Sequence, residues 1–495
     1  MGQIFKPEII LGPPGTGKTS FLLNEVETAL AGGTSSRKIA YLAFTKKAAT
    51  EALDRAKEKF ELGERDLPYF RTLHSLAFRM LGMKREQMLS KPQIKEFGNI
   101  MGLRMTSGMN MDEGATFGSA PGDLALFICN LARIRRMPIQ DQWHENHEDI
   151  PWYEVERVGR GLEKFKKVRA LYDFTDLLEN FITDIEPPEL DLLVVDEAQD
   201  LSRLQWEMVI KLAEGSKRVI IAGDDDQAIF RWAGADVSYF INLKGAVRVL
   251  DKSFRVPVKI QSLANELITR VETRKSKQWA AREEEGSVTF HRTTDTVNMS
   301  DGSWLVLSRN NYGLDYAEEQ CRREGLFYSR GGRSAVSARA LEAVRNWEHL
   351  RKGENIGAQA LTNVLRYVQH NKRNPPKEGE FSLEDLRNVW GVKVDTIWHE
   401  AFSEMSLVDR SYLIAMLRRG EKVLKTPRIK LSTIHSAKGG EADNVILHLD
   451  MARRTFENSQ KFPEDEMRVF YVGATRAKQN LHVIAPQTRY YFQYI

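Results

Sequence analysis

Cysteine is nearly absent: Cys129 and Cys321 are the only two in 495 residues. That excludes a disulfide framework, a four-cysteine zinc site and an iron–sulfur cluster. Long apolar runs are missing too. No stretch approaches the ~20 apolar residues of a membrane span, and 28% of the chain is charged. The expectation is a soluble globular protein with no membrane partner. Met1–Leu11 carries Lys6 but no apolar signal core, so the reading is intracellular and cytoplasmic. Charge of one sign is scarce as well. A formal net charge of +4 allows a polyanionic partner without requiring one. The length exceeds what one core supports and suggests roughly three or four domains.

What is present is organised around Gly12-Pro13-Pro14-Gly15-Thr16-Gly17-Lys18-Thr19. The apolar run Ile9-Ile10-Leu11 precedes it and Phe21-Leu22-Leu23 follows, which reads as strand, glycine-rich loop, helix. Such a loop turns its backbone N–H groups around a phosphate chain, and the helix N-terminus adds partial positive charge. Lys18 would reach the terminal phosphates, and the Thr19 hydroxyl would ligate Mg2+.

Strand signals recur downstream. Lys38–Phe44 leads into a helix capped by Thr45, and a second strand-to-helix step spans Phe70–Leu81. From Met83 to Phe165 the pattern turns helical and irregular, with loops expected at Thr106–Asp123 and Gln140–Pro151. Leu192–Val195 ends on Asp196-Glu197, and Val219–Ala222 ends on Gly223-Asp224-Asp225-Asp226-Gln227. Continuous apolar strands alternating with helices indicate parallel α/β sheets that bind ligands at the strands' C-terminal ends. A second such unit follows Pro257: strands at Trp304–Leu307, Ile429–Ser432, Asn444–Leu447 and Leu481–Ile484, and helices at Tyr312–Glu324 and Asp465–Ala474. A helical, charge-rich stretch interrupts it between Ser337 and Lys425.

The acidic pair supplies what a phosphate loop lacks. Asp196 would hold Mg2+, and Glu197 would orient or deprotonate the attacking water. Gln227 is placed to sense a γ-phosphate. No Asn-Lys-x-Asp guanine signature occurs, which favours ATP over GTP. Phosphoryl transfer also needs positive charge opposite the leaving group. Arg255 and Arg476 are candidates, although singly each reads first as a surface ion-pair partner.

The ordered set resembles the UvrD/Rep/PcrA-type superfamily 1 DNA helicases. The matching runs are Gly12–Thr19, Ala43–Ala49, Thr72–Ser75, Asp196–Asp200, Gly223–Trp232, Ser253-Phe254-Arg255, Thr433–Glu441 and Tyr471–Lys478. The resemblance implies two RecA-like P-loop NTPase lobes, parallel sheets with flanking helices, each carrying a mainly helical insert. The first lobe would be 1–82 and 166–256 with insert 83–165, and the second 257–336 and 426–495 with insert 337–425. ATP would lie between the lobes, held by Gly12, Pro13, Pro14, Gly15, Thr16, Gly17, Lys18, Thr19 and Ser20. Arg255, Glu441 and Arg476 would complete the nucleotide site, and Phe254 stands where the family has an adenine-stacking tyrosine. Phe44, Thr72, His74, Trp232, Arg309, Thr433 and His435 match DNA-contacting positions. On their own, Phe44 and Trp232 read as core aromatics. The resemblance implies 3′-to-5′ movement on single-stranded DNA, action at single-strand/duplex junctions, and replication, repair or recombination proteins as partners.

The sequence departs from the family in four further places. The glutamine-containing adenine motif lies further upstream than this N-terminus reaches, and Gln3 is a poor stand-in. Ser20 replaces an arginine that often follows the phosphate loop. Trp-Arg-Gly-Ala becomes Trp232-Ala233-Gly234-Ala235, with Arg231 on the other side of the tryptophan. The second insert is short. Two alternatives stay open: a translocase that remodels without processive unwinding, and a nucleotide-gated subunit of a larger replication, recombination or defence complex.

Overall fold

The computed structural model describes residues 5–106, 120–146, 150–422 and 426–495. Gln3 lies outside these residues, as do parts of the loops expected at Thr106–Asp123 and Gln140–Pro151. The chain forms two compact units. One takes the residues up to Glu285, with Ser459–Thr475 and Tyr494; the other takes Gly286–Asn458, Arg476–Gln493 and Ile495.

The first unit is built on six strands: β1 (Glu8–Leu11), β2 (Ile39–Ala43), β3 (Tyr69–Thr72), β4 (Leu190–Asp196), β5 (Ser216–Gly223) and β6 (Ala246–Val249). They lie in the order β3-β2-β4-β5-β1-β6, all parallel. Helices cover both faces, which is why the central strands read as unbroken apolar runs. Ile10, Tyr41, Val194 and Ile220 face α1 (Lys18–Ala31) and α2 (Lys46–Phe60). Their neighbours Ile9, Leu42, Leu193 and Ile221 face α3 (Leu73–Met80) and two later helices. The expected cap is present: the Thr45 hydroxyl accepts the Ala48 N–H at 3.1 Å.

The first insert packs α4 (Lys91–Met101), α5 (Pro121–Arg135), α6 (Ile139–Asn146) and α7 (Trp152–Arg169) around its own core, including Phe97, Leu126, Ile128, Val158 and Phe165. The loop expected from Gln140 begins instead as α6. Ile139 and Trp143 anchor it to that core, which outweighs its polar composition. Arg133 of α5 then ties the insert to α8 (Phe174–Asp184), meeting Asp173 at 2.9 Å and both Asp176 and Glu179 at 2.6 Å. The unit continues through α9 (Arg203–Glu214), α10 (Val237–Asn242) and α11 (Val258–Ile268).

The second unit opens with β7 (Ser287–His291), β8 (Trp304–Ser308), α12 (Asp315–Glu324), β9 (Tyr328–Arg330) and β10 (Arg333–Ser334). Its insert holds α13 (Ala338–Arg351), β11 (Ile356–Gly357), α14 (Ala358–Leu365), β12 (Glu380–Phe381), α15 (Leu383–Trp390), α16 (Trp398–Ala401) and α17 (Leu407–Arg419). Then come β13 (Ile429–Thr433), β14 (Ala442–His448), α18 (Arg453–Lys461), α19 (Pro463–Ala474) and β15 (Ala477–Ile484), with α19 packing in the first unit. The main sheet runs β10-β9-β13-β8-β14-β15-β7, antiparallel only at β9–β10. One continuous core joins sheet residues Val306, Leu431 and Ile446 to insert residues Trp347, Trp390 and Phe402. Each unit is thus a parallel sheet flanked by helices, the expected α/β class.

Candidate active site

The order of the first sheet explains how distant residues meet. The ends of four neighbouring strands carry Asp196-Glu197 (β4), the turn to Gln227 (β5), the phosphate loop (β1) and Ser253-Phe254-Arg255 (β6). The Gly12 N–H donates to the Gly223 carbonyl at 3.0 Å, extending the β1–β5 pairing into the loop. Gly15 and Gly17 have φ of +74° and +76°, left-handed values that favour glycine.

Lys18 Nζ lies 2.9 Å from Asp196 Oδ1 and contacts Glu197 Oε1. Burial alone would disfavour the ammonium, but the two carboxylates outweigh it and hold the Lys18 pKa above the ordinary lysine value. Asp196 Oδ2 accepts the buried Tyr41 hydroxyl at 2.8 Å. Burial, then the Asp196 charge, pushes that phenol well above its usual pKa. The Thr19 hydroxyl lies near enough to Tyr41 to oppose that rise, so Thr19 and the Asp196 carboxylate both border the Tyr41 hydroxyl. Two hard oxygen donors beside a phosphate loop fit Mg2+, which takes few protein ligands and leaves the rest to water and phosphate. Glu197 has φ +56°, an uncommon value for a non-glycine residue. Such a backbone costs about 1–2 kcal/mol, and Gln199 Nε2 braces the carboxylate at 2.7 Å. Gln199 Oε1 accepts the Asp224 N–H at 2.9 Å, linking β4 to β5, and Gln227 Nε2 donates to Asp224 Oδ2 at 2.7 Å.

Arg255 belongs to the same cluster. The Phe254 N–H donates to the Gly15 carbonyl at 2.8 Å, and Ser253 Oγ donates to the Pro14 carbonyl at 2.7 Å. A Cβ on Gly15 would stand 2.3 Å from the Arg255 Cβ. The Phe254 ring is 69% exposed and passes 3.8 Å from where a Gly17 Cβ would be, an open aromatic face beside the loop. Ser20 is an exposed residue of α1.

The expected strand contacts fall on the remaining strand ends. Phe44 follows β2 and is half-buried against Phe230, with ring centroids 5.6 Å apart. His74 follows β3 and meets Phe174 edge-on at 5.8 Å. Phe44, His74 and Phe230 share a small cavity of about 30 Å³. The Thr72 hydroxyl caps α3 by accepting the Ser75 N–H at 3.2 Å. Trp232 is 38% exposed. The displaced Arg231 stacks over Phe462, 4.7 Å to the centroid, and lies 3.5 Å from Asp465.

In the second unit the candidates divide between opposite edges of one sheet. Arg309 follows β8 and Thr433 ends its neighbour β13, and the Ile434 N–H donates to the Ser308 carbonyl at 3.0 Å, bringing His435 into the same group. Thr433 Oγ1 accepts the Ser436 N–H at 3.3 Å. Glu441 and Arg476 instead precede β14 and β15, at the N-terminal edge. Arg476 is 2% exposed and donates to the Gly440 carbonyl at 3.4 Å, while Glu441 pairs with Lys478 at 3.0 Å. A strand of five to seven residues separates the edges by roughly 17–23 Å.

Sequence reasoning missed Tyr41, Gln199 and Lys277. Tyr41 reads as an ordinary buried strand aromatic, and Gln199 is inconspicuous within Asp196–Asp200. Among the described residues, Asp224, Asp225 and Asp226 are the one group of three acidic side chains close enough to share a cation, and Lys277 Nζ sits among them at 3.1, 2.7 and 2.9 Å. Lys277 lies in a polar stretch with no motif to mark it.

Similarity to known proteins identifies the family. Residues 3–248 match the UvrD/REP helicase N-terminal domain, and residues 342–488 match the UvrD-like helicase C-terminal domain. The chain is 27% identical to DNA helicase II of Escherichia coli K12, over 97% of this chain and 82% of that protein. It is 25% identical to the ATP-dependent DNA helicase PcrA of Bacillus subtilis 168, over 98% and 82%. It is 23% identical to DNA helicase II of Haemophilus influenzae, over 97% and 82%. The two domain matches together span most of the sequence, and on them the chain belongs to the UvrD/Rep helicase family.

Proposed function

We propose that this protein is an ATP-dependent DNA helicase that moves on single-stranded DNA in the 3′-to-5′ direction. The observation carrying the proposal is the delivery of Lys18, Asp196-Glu197, Gln227 and Arg255 from four adjacent strand ends. The backbone N–H groups of Gly12–Thr19 and the Lys18 ammonium bind the β- and γ-phosphates. Leaving the two carboxylates for a phosphate oxygen costs Lys18 its present partners, and Thr19 with Asp196 would hold a Mg2+ that offsets their charge. Bound there, the metal supplies Lewis acidity toward the phosphate oxygens. Glu197 orients the attacking water and takes up its proton, and Gln227 senses the γ-phosphate. Arg255 and Arg476 neutralise charge on the transferring group, and Glu441 contributes to the nucleotide site. Phe254 stacks on adenine.

DNA binds along the other strand ends, where Phe44, His74 and Trp232 offer flat faces and Thr72, Arg309, Thr433 and His435 offer polar groups. Cytoplasmic single-stranded DNA, its junctions with duplex, and proteins of replication, repair or recombination are the partners this reading supports. The test is strand separation on partial duplexes carrying a 3′ or a 5′ single-stranded tail. Separation of the 3′-tailed substrate alone supports the proposal; separation of the 5′-tailed substrate alone contradicts its direction. A second reading, translocation that remodels DNA–protein complexes without unwinding, is favoured by the compact second insert. It predicts removal of streptavidin from a biotinylated 5′ end with neither duplex opened.

A further inference from the structure

The segment 272–282 after α11 has no assigned role, yet it touches both ends of the candidate site. Arg274 grips Asp226 with two bonds of 2.7 and 2.6 Å, and the Lys275 N–H donates to Asp225 Oδ2 at 2.7 Å. Further on, the Ala280 N–H donates to the Asp251 carbonyl at 2.6 Å, the Ser253 N–H donates to the Ala280 carbonyl at 2.9 Å, and the Arg282 N–H donates to the Val256 carbonyl at 3.0 Å. One strap therefore spans from the turn that presents Gln227 to the turn that presents Arg255.

Lys277 is the strap's most buried contact, with a side chain fully shielded from solvent. Its ammonium lies 3.1 Å from Asp224 Oδ1, while Asp224 Oδ2 receives the Gln227 amide at 2.7 Å. One oxygen of the carboxylate is thus held by the Lys277 ammonium together with the Asp226 N–H at 3.2 Å, and the other aims Gln227. Rotation of Asp224 away from Lys277 would carry the Gln227 amide with it. We propose that Lys277 is a positioning residue for ATP hydrolysis, fixing the Asp224 carboxylate so that Gln227 is aimed at the γ-phosphate. This rests on the reading of Gln227 as the γ-phosphate sensor.

Electrostatics support the geometry. Burial raises the Asp224 pKa, and Lys277 opposes that rise, while Arg274 and Lys277 overcome burial to lower the Asp226 pKa. Burying carboxylates is costly unless cations are buried with them, and Lys277 and Arg274 are the cations here. A hydrophobic residue at 277 would leave Asp224 Oδ1 without its ammonium.

The test compares steady-state ATP hydrolysis by the wild type, Lys277→Met, Gln227→Ala and the double variant, with binding of a fluorescent ATP analogue and thermal melting measured alongside. Lys277→Met is expected to lower kcat by ~10-fold or more with nucleotide affinity within ~2-fold, and to cause no further loss in a Gln227→Ala background. Losses that multiply in the double variant overturn the proposal while leaving Gln227 in its role. Wild-type turnover by Gln227→Ala removes that role, and the proposal with it. Lys277→Met/Asp225→Asn removes one charge of each sign and guards against misfolding. It should stay slow, because Asp224 Oδ1 still lacks the Lys277 ammonium. Recovery to the wild-type rate assigns Lys277 to charge balance alone, and failure of both Lys277 variants to fold assigns it to stability. Either result overturns the proposal.

Discussion

Lys18 and Asp196, brought from the ends of β1 and β4, stand 2.9 Å apart with side chains only 11% and 5% exposed. A buried cation held by carboxylates is poised to exchange partners. On the proposed reading phosphate would take the ammonium, and Asp196 with Thr19 would then hold a hard cation in its place.

Replacing Lys18 by methionine strands Asp196 in the interior. Breaking one side of a buried pair costs about 3 kcal/mol, and turnover should fall by ~10²-fold or more. Added Mg2+ should then raise the melting temperature of the variant more than that of the wild type, because it restores the missing counter-charge. Thermal melts with and without Mg2+ check this; equal shifts would contradict the exchange.

Gly15→Ala places a methyl group 2.3 Å from the Arg255 Cβ and 2.8 Å from Ser253 Oγ, at a φ of +74°. The loop and the Ser253–Arg255 turn must separate. Titration with a fluorescent ATP analogue should show affinity reduced by ~10-fold or more, about 1.4 kcal/mol or more.

Ser253→Ala leaves the Pro14 carbonyl and the Arg255 and Val256 N–H groups without a buried hydroxyl that bridges them at 2.7, 3.2 and 3.1 Å. Unsatisfied buried groups cost about 1–3 kcal/mol. The substitution should destabilise by that order in urea melts and lower kcat more than it weakens nucleotide binding, since Arg255 loses its support.

His448 at the end of β14 gives the second unit an acid sensitivity. Burial lowers its pKa from 6.5 to about 4, with Asp450 opposing the drop. The folded value lies below the unfolded one, so between pH 6.5 and 4 the unfolded chain takes up the proton and the native state does not. Stability therefore falls as pH falls through that window, by about 3 kcal/mol at its lower end. Urea melts across the range should show the slope, and His448→Asn should reduce it, the remainder coming from His482, which burial also lowers to about 4.

Much of this was legible in the chain. The central strands Leu192–Val195 and Val219–Ala222 are covered on both faces, so their apolar runs stand out, and the chemistry sits directly after them. The edge strand β3 was legible from its step into a helix, but the edge strands β6 and β7 were not. β6 and β7 are largely exposed and alternate with polar residues, as at Arg248 and Thr289, so neither shows a buried-strand signal. Tertiary packing likewise turned the polar stretch after Ile139 into a helix. Lys277 was invisible for a different reason: a lysine in a basic, polar stretch reads as surface until the fold closes three aspartates around it.

The most direct measurement is ATP hydrolysis in Mg2+ with and without single-stranded DNA, on the wild type, Lys18→Ala and Arg476→Ala. The account predicts strong stimulation by DNA that both substitutions abolish. Hydrolysis indifferent to DNA, or surviving Arg476→Ala, would contradict a DNA-driven motor whose second unit takes part in the reaction.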